Sequence, residues 1–176
     1  MKQFHWGTAY SVLFFGGRWS TCAFPWTLPG SSAATSFYDT TPLIATLDGL
    51  IDWQLLNTGP VRLSVGAVDV ESGNFVYFDN REGEWAGRID ARHILASGAL
   101  PPGFAAVEID GRHYWDGGLV SNTPLQHILD HQRGDMLVFK VDLFPARGDL
   151  PQGIGDVLSR EKDIRFSSRT RAVTDQ

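Results

Sequence analysis

The sequence predicts an α/β protein, in which helices pack against a sheet. Helical and strand-like segments alternate along the chain, and one helical segment leads into a mostly apolar run at 136–143 that suits a buried strand. A helix followed by a buried strand indicates a layered α/β arrangement. The length of 176 residues, 43% of them hydrophobic, is enough to bury one core and favours a single domain.

The N-terminal part is predicted to be mostly loop, and the first helix follows it. Residues 1 to about 40 are rich in aromatic, Gly, Pro, Ser and Thr residues that show no period. Thr41 is predicted as the N-cap and Pro42 as the first helical residue, with apolar residues at helical spacing as far as Ile51. The Asn-Thr-Gly-Pro segment at 57–60 is predicted to end this helix.

A β-hairpin and a short helix are predicted next. Apolar and polar residues alternate at 61–67, and a second extended run at 75–78 follows a Ser-Gly-Asn turn. Asp90 then stands where it can cap a short helix. Gly98 and the Pro-Pro pair at 101–102 are predicted to end that helix.

The remaining pattern predicts a second hairpin, two more helices and one buried strand. The hairpin covers 106–115 and turns at Asp110-Gly111, a dipeptide that tolerates the positive φ angles of a tight turn. Pro124 opens a helical segment, and the apolar run at 136–143 after it is predicted to be the buried strand. A last helix is predicted from Ile154.

Composition excludes several classes of function. The net charge of −5 supplies no basic field, so no nucleic-acid partner is expected. Cys22 is the single cysteine and cannot form an internal disulfide, which fits a reducing, cytoplasmic location. No stretch approaches the ~20 apolar residues that span a bilayer, so any membrane contact is expected to be peripheral.

The most informative part of the chain is an Asp-Gly-Gly sequence formed by Asp116, Gly117 and Gly118. The aspartate stands just past a predicted strand, and glycines let the backbone pass close to a reacting group while the carboxylate faces a pocket. Taken alone, Asp-Gly is typical of a turn. The residues around it, Ser-Gly-Ala-Leu-Pro-Pro-Gly-Phe at 97–104 and His-Tyr-Trp before the aspartate, point to more than a turn.

From about Phe24 to the C-terminus the chain resembles the patatin-like acyl hydrolases. The tail at 162–171 is similar to the bacterial branch of that family. The resemblance implies a layered α/β fold with a central, largely parallel sheet flanked by helices, a poorly assigned segment at 1–23 and a patatin-like portion at 24–176. The segments that carry it, in family order, are 35–40, 62–67, 73–79, 93–98 and 114–118.

The resemblance also implies a chemistry. In this family a serine attacks the carbonyl carbon of a lipid or other ester, an aspartate takes the serine proton, and glycine-loop amides stabilise the oxyanion, without a cofactor or metal. Asp116 matches the dyad aspartate, and Gly117 and Gly118 complete its motif. An aspartate that works as a base near neutral pH should be partly desolvated, and the apolar neighbours of Asp116 in the sequence make this plausible.

The nucleophile is not evident, because no GxSxG sequence occurs in the chain. Gly-Ser-Ser-Ala-Ala at 30–34 resembles an elbow without its last glycine, which makes Ser32 the candidate, and Gly-Gly-Arg at 16–18 resembles an oxyanion loop. An elbow needs a strand before it and a helix after it, and the residues around Ser32 predict neither. The domain is therefore expected to be incomplete at its N-terminus, with the serine upstream or on a complementing N-terminal chain. A non-catalytic fragment or pseudoenzyme that binds lipid or a partner is the alternative.

Two other groups of residues offer weaker alternatives. His127 and His131 are four residues apart on a predicted helix, but the chain lacks the glutamate that a zinc protease places beside its first histidine. A Ser-His-Asp set of Ser97, His93 and Asp116 can be drawn, although Ser97 lacks an elbow and is more typical of a satisfied polar position.

The C-terminal helix carries five basic residues. They can face an anionic lipid surface, or they can form a solvated helix face together with the acidic residues between them. The five are Arg160, Lys162, Arg165, Arg169 and Arg171.

Overall fold

The computed structural model describes residues 21–22, 35–121, 125–131, 134–141 and 144–174. The chain divides into two compact units, Met1–Leu119 and Val120–Gln176. The first unit contains the sheet and the Asp-Gly-Gly motif, and the second contains the C-terminal helices.

The described part of the first unit starts with two short strands and two helices. Strand β1 (Thr21–Cys22) pairs antiparallel with β2 (Tyr38–Asp39). The single helix predicted from Thr41 is in fact two helices, α1 (Thr41–Leu50) and α2 (Trp53–Thr58). Asp52 separates them, because its backbone is extended and its carboxylate accepts a hydrogen bond from the Leu55 N–H at 2.8 Å, which starts a new helix. The N-cap of α1 is Thr40, one residue before the predicted position.

A four-stranded sheet forms the centre of the first unit. Its strands are β3 (Ser64–Asp69), β4 (Phe75–Asp79), β5 (Val107–Ile109) and β6 (Arg112–Asp116), in the order β4-β3-β6-β5. Both predicted hairpins are confirmed, and Asp110 and Gly111 turn the second one with φ angles of 49° and 79°.

The α/β class with a helix-flanked sheet is confirmed, but the expected strand direction is not found among the described residues. Every ladder of the four-stranded sheet is antiparallel. The parallel pairing in the described chain is an isolated bridge between Tyr38 and Phe104. Short hairpins join β3 to β4 and β5 to β6, and such connections allow antiparallel neighbours, whereas parallel neighbours need a long crossover.

Helix α3 (Ala91–Ser97) packs against β3, β5 and β6 and closes the core. Asp90 caps it as predicted, by accepting a hydrogen bond from the Arg92 N–H at 2.9 Å. Burial of each large apolar side chain stabilises the fold by about 1.5–3 kcal/mol. The buried core residues are Ala67, Phe78, Trp85, Ile89, Ala96, Ile109 and Tyr114.

The second unit contains helices α4 (Leu125–His131) and α5 (Ile154–Thr174), which confirms both predicted helices. The strand predicted at 136–143 is wrong for residues 136–141, which form no strand and expose Leu137 (81%), Phe139 (85%) and Val141 (80%). An apolar run becomes a strand only when a neighbour accepts its backbone hydrogen bonds, and no described residue does so. Among the described residues, no helix is long and apolar enough to cross a membrane.

Candidate active site around Asp116

Asp116 is the last residue of β6, where the backbone of two other segments fixes it. It lies opposite Ala67 in the β3–β6 ladder. Its own N–H donates to the carbonyl oxygen of Ala99 at 3.0 Å, in the loop that follows α3. Asp116 is thus held by the sheet on one side and by the α3 loop on the other.

The Asp116 carboxylate is half-buried on the core-facing side of the sheet. Residues directly opposite each other in an antiparallel ladder point to the same face, so Asp116 shares its face with the buried Ala67. Burial raises the pKa of Asp116, and the Gly118 N–H, which donates to Oδ1 at 2.7 Å, partly offsets that rise. Oδ2 has no hydrogen-bond partner among the described residues and is available to accept a proton.

Position 117 requires a glycine, because the backbone of β3 leaves no room for a side chain there. A Cβ atom at this position would lie 2.6 Å from the carbonyl carbon and 2.7 Å from the oxygen of Gly66, both backbone atoms of β3. Backbone atoms cannot give way as a flexible side chain can, so a larger residue would displace the turn of residues 117–119 from the sheet. The glycine therefore fixes where the chain leaves the sheet directly after Asp116.

A family model described as patatin-like phospholipase matches residues 5–129, more than half of the chain, and the matched region includes Asp116, Gly117 and Gly118. The chain belongs to the patatin-like phospholipase family. The match also covers most of the segment 1–23, for which the sequence patterns predict little structure. No curated protein matches the sequence. Membership of this family assigns the chain to the lipid acyl hydrolases in general.

The candidate nucleophile of this patatin-like chain, Ser32, and the glycine-rich segment at 16–18 lie outside the described residues. Within the described residues, no serine or threonine hydroxyl hydrogen-bonds to Asp116. The identity of the nucleophile therefore stays a prediction.

The alternative Ser-His-Asp set is not brought together. The Ser97 hydroxyl donates to the Ile94 carbonyl oxygen at 2.8 Å, which confirms it as a satisfied polar position. His93 is buried against the rings of Phe78 and Trp85, with both centroid distances 4.9 Å, and its Nδ1 lies 2.8 Å from Asp90 Oδ1. Neither side chain hydrogen-bonds to the carboxylate of this patatin-like motif.

A second Ser–Asp pair is present that the sequence patterns do not reveal. Ser64 donates its hydroxyl to Asp79 Oδ2, which also accepts from the Arg62 Nε at 2.8 Å. Asp79 Oδ1 accepts from the N–H groups of Arg81 and Glu82 at 2.7 and 3.1 Å. Burial acts to raise the pKa of Asp79, but the bonds from Ser64, Arg81 and Arg62 outweigh it and lower the pKa to about 2. The lowered pKa makes this carboxylate a weaker base than Asp116. The β3–β4 register places it beside Ser64.

The remaining candidate sites lie in the second unit. The His127 and His131 rings on α4 have centroids 4.3 Å apart, but His131 Nδ1 lies 2.6 Å from the His127 carbonyl oxygen and is used by the helix. Among the described residues, no group of three or more His, Cys, Asp or Glu side chains is placed to hold a metal ion.

Three of the five basic residues of α5 contact the second unit itself, and the side chains of Arg169 and Arg171 lie outside the described set. An open groove of about 420 Å³ runs along this helix and is lined mainly by apolar surface. Arg160 donates to the Pro145 and Ala146 carbonyl oxygens at 3.2 and 2.7 Å, the Lys162 ammonium lies 5.6 Å from the centroid of the Phe144 ring, and Arg165 lies 3.6 Å from Glu161.

Proposed function

We propose that this chain acts as a serine acyl hydrolase of the patatin-like type, with Asp116 as the general base of a Ser–Asp dyad. The observation that supports this most directly is the state of the Asp116 carboxylate. It is half-buried, its pKa is raised by burial, and one of its two oxygens has no partner among the described residues. A base of this kind is easier to protonate than a solvated aspartate, which general-base catalysis near neutral pH requires.

The proposed reaction needs no cofactor. Asp116 Oδ2 takes the serine hydroxyl proton as the serine oxygen forms a bond to the ester carbonyl carbon. The tetrahedral intermediate then collapses, the bond to the alcohol breaks, and the departing alkoxide takes the proton from Asp116. Water hydrolyses the acyl-serine by the same route in reverse, with Asp116 again as the base. The Gly118 N–H holds Oδ1 throughout and leaves Oδ2 to carry the proton.

We propose Ser32 as the nucleophile within this chain, and a serine on a complementing N-terminal segment as the alternative source. The substrate is a lipid or other carboxylic ester, met by peripheral membrane contact from the cytoplasm. The net charge of −5 disfavours a nucleic acid as partner.

Labelling with a fluorophosphonate probe, followed by mass mapping, tests the proposal. We expect one serine to be labelled in the purified chain, and we expect the label to be lost in Asp116→Asn. Ser32→Ala shows whether that serine is Ser32. Asp110→Asn is the matched control, because it removes an exposed aspartate at a turn where asparagine is tolerated.

The same experiment separates the alternatives. A folded chain that is not labelled contradicts catalysis by this chain alone and favours a non-catalytic module that binds lipid or a partner. Labelling that begins only when an N-terminal patatin-like segment is co-expressed assigns the serine to that segment. Labelling that is equal in the wild type and in Asp116→Asn contradicts the dyad.

A further inference from the structure

The Phe75 ring and the Gly117 backbone both lie unusually close to strand β3 at Gly66. A Cβ atom at Gly66 would lie 2.5 Å from the ring of Phe75, which covers the face of the strand. Alongside, Gly117 reaches the Gly66 backbone, one position beyond the last ladder pair of Ala67 and Asp116. Gly66 therefore has a ring over its face and a second glycine against its backbone, and a side chain would occupy space that is already filled.

The Phe75 ring is itself held in place. It is half-buried and packs edge-on against the Tyr77 ring, with the centroids 4.8 Å apart. A new atom at Gly66 must therefore displace either the Phe75 ring, which packs against Tyr77, or β3, whose backbone contacts Gly117.

A displacement of β3 at Gly66 would also displace the turn after Asp116, and with it the N–H group that binds the carboxylate. Gly117 contacts Gly66, and the next residue, Gly118, donates the N–H that holds Asp116 Oδ1 at 2.7 Å. A displacement of a few tenths of an ångström at Gly117 lengthens or tilts that hydrogen bond, which weakens it.

We propose that Gly66, covered by Phe75, is a positioning residue for Asp116. Its missing side chain leaves room for the Phe75 ring, so that β3 keeps the position at which Gly117 contacts the Gly66 backbone, and this contact sets the turn that directs the Gly118 N–H at the carboxylate. The proposal rests on the proposed function for its catalytic meaning, because Asp116 is the base there. The hydrogen bond from Gly118 to Asp116 is present whether or not the chain has a nucleophile.

The test measures the titration of the Asp116 carboxyl group by carbon-detected NMR, assigned by the signal that disappears in Asp116→Asn. The variants are Gly66→Ala, Phe75→Leu and the double variant, all in the full chain. We expect Gly66→Ala to raise the titration midpoint by about 0.5 unit or more, because the Gly118 hydrogen bond lowers that midpoint and is weakened. The double variant should return to the wild-type midpoint, since leucine leaves room for the new methyl group.

Gly49→Ala is the matched control, because a Cβ atom there meets nothing within 4 Å. It should leave the Asp116 midpoint unchanged. The proposal is overturned if Gly66→Ala lowers the melting temperature but does not move the midpoint, or if the double variant keeps the shifted midpoint. If Gly66→Ala does not fold, the double variant decides: folding with a wild-type midpoint supports the proposal, and failure to fold contradicts it. Probe labelling is recorded separately, so a chain that lacks a working nucleophile still gives the titration result.

Discussion

The two strands that flank β3 each end in an aspartate, and the two aspartates are in opposite states. Asp79 ends β4 and accepts hydrogen bonds from two side chains and two backbone N–H groups, so its pKa is lowered to about 2 despite burial. Asp116 ends β6 and accepts one hydrogen bond from Gly118, so burial prevails and its pKa is raised. The hydrogen-bond donors around each carboxylate and the Arg62 charge beside Asp79, rather than the residue type or its place in the sheet, separate the lowered pKa from the raised one.

The largest expected effect comes from Asp116→Asn, which keeps the shape and removes the charge. Loss of the general base should lower the labelling rate by roughly 10²- to 10⁴-fold. The melting temperature at neutral pH should stay equal or rise, because the desolvated charge is gone and the asparagine oxygen still accepts from Gly118. Probe kinetics and calorimetry on the same preparation check both. A fall in stability as large as that of Asp79→Asn would mean that the two carboxylates do not differ.

Gly117→Ala should disturb the Asp116 end of the sheet alone. The new methyl group meets the Gly66 backbone, so we expect a loss of about 2–3 kcal/mol in the free energy of unfolding, together with slower labelling. Urea denaturation measures the first and probe kinetics the second. Gly49→Ala on α1 is the control and should be neutral or stabilise by up to about 1 kcal/mol. Equal effects of the two substitutions would contradict the close approach at Gly66.

Asp79→Asn should lower stability and leave labelling unchanged, whereas Asp116→Asn should lower the labelling rate and leave stability equal or higher. Lowering the pKa of Asp79 from 3.8 to about 2 corresponds to about 2 kcal/mol of stability at neutral pH, which the variant should lose. Labelling of the remaining folded protein should be unchanged, since Asp79 is not part of the proposed dyad. Urea denaturation with probe kinetics in native buffer provides the measurement. An inactive but stable variant would reverse the assignment of the two aspartates.

The smallest expected effect is the dependence of stability on pH. The pKa of Asp116 is raised in the folded state, so its protonated form is favoured by folding, and that contribution is lost as the pH rises through the raised pKa. The pKa of Asp79 is lowered, so its contribution is present above the unfolded value of 3.8 and is lost as the pH falls toward about 2. As the pH is lowered from 7, the free energy of unfolding of the wild type should therefore first increase as Asp116 takes up a proton, and Asp116→Asn should lack this increase. At lower pH it should decrease as Asp79 takes up a proton, and Asp79→Asn should lack this decrease.

Comparing each variant with the wild type at the same pH removes the contribution of His93. Burial is the main cause of its lowered pKa, which the Asp90 contact only partly offsets, so its protonation below pH 6.5 opposes folding in all three proteins. A wild-type curve that falls steadily from neutral pH, in parallel with that of Asp116→Asn, would contradict the raised pKa of Asp116.

The features that the sequence predicted correctly are those that short segments determine. The turn at Asp110-Gly111 and the cap at Asp90 depend on neighbouring residues, and both are found. The break at Asp52 was also local and could have been predicted, since aspartate is a good N-cap, but the apolar pattern continues across it. Family resemblance, rather than any local pattern, singled out Asp116.

The features that the sequence did not predict depend on which segments become neighbours. The bonding of Asp79 requires the β3–β4 register that places it opposite Ser64. The close approach of Gly66 and Gly117, 51 residues apart in the sequence, requires β3 and the end of β6 to align at one position. For the segment at 136–141, the apolar composition predicts a strand, but a strand also needs a neighbour with free backbone groups, and none of the described residues pairs as a strand with this segment.

The half-buried, singly bonded carboxylate of Asp116 has a consequence for protein engineering. A residue that is unfavourable in the folded state is a preferred target when a library is selected for heat resistance alone. Such a selection should enrich neutral residues at position 116 and yield robust proteins that lack the proposed general base. A stabilising campaign on this chain therefore needs a functional readout in every round, or it will discard the residue that we propose as the general base.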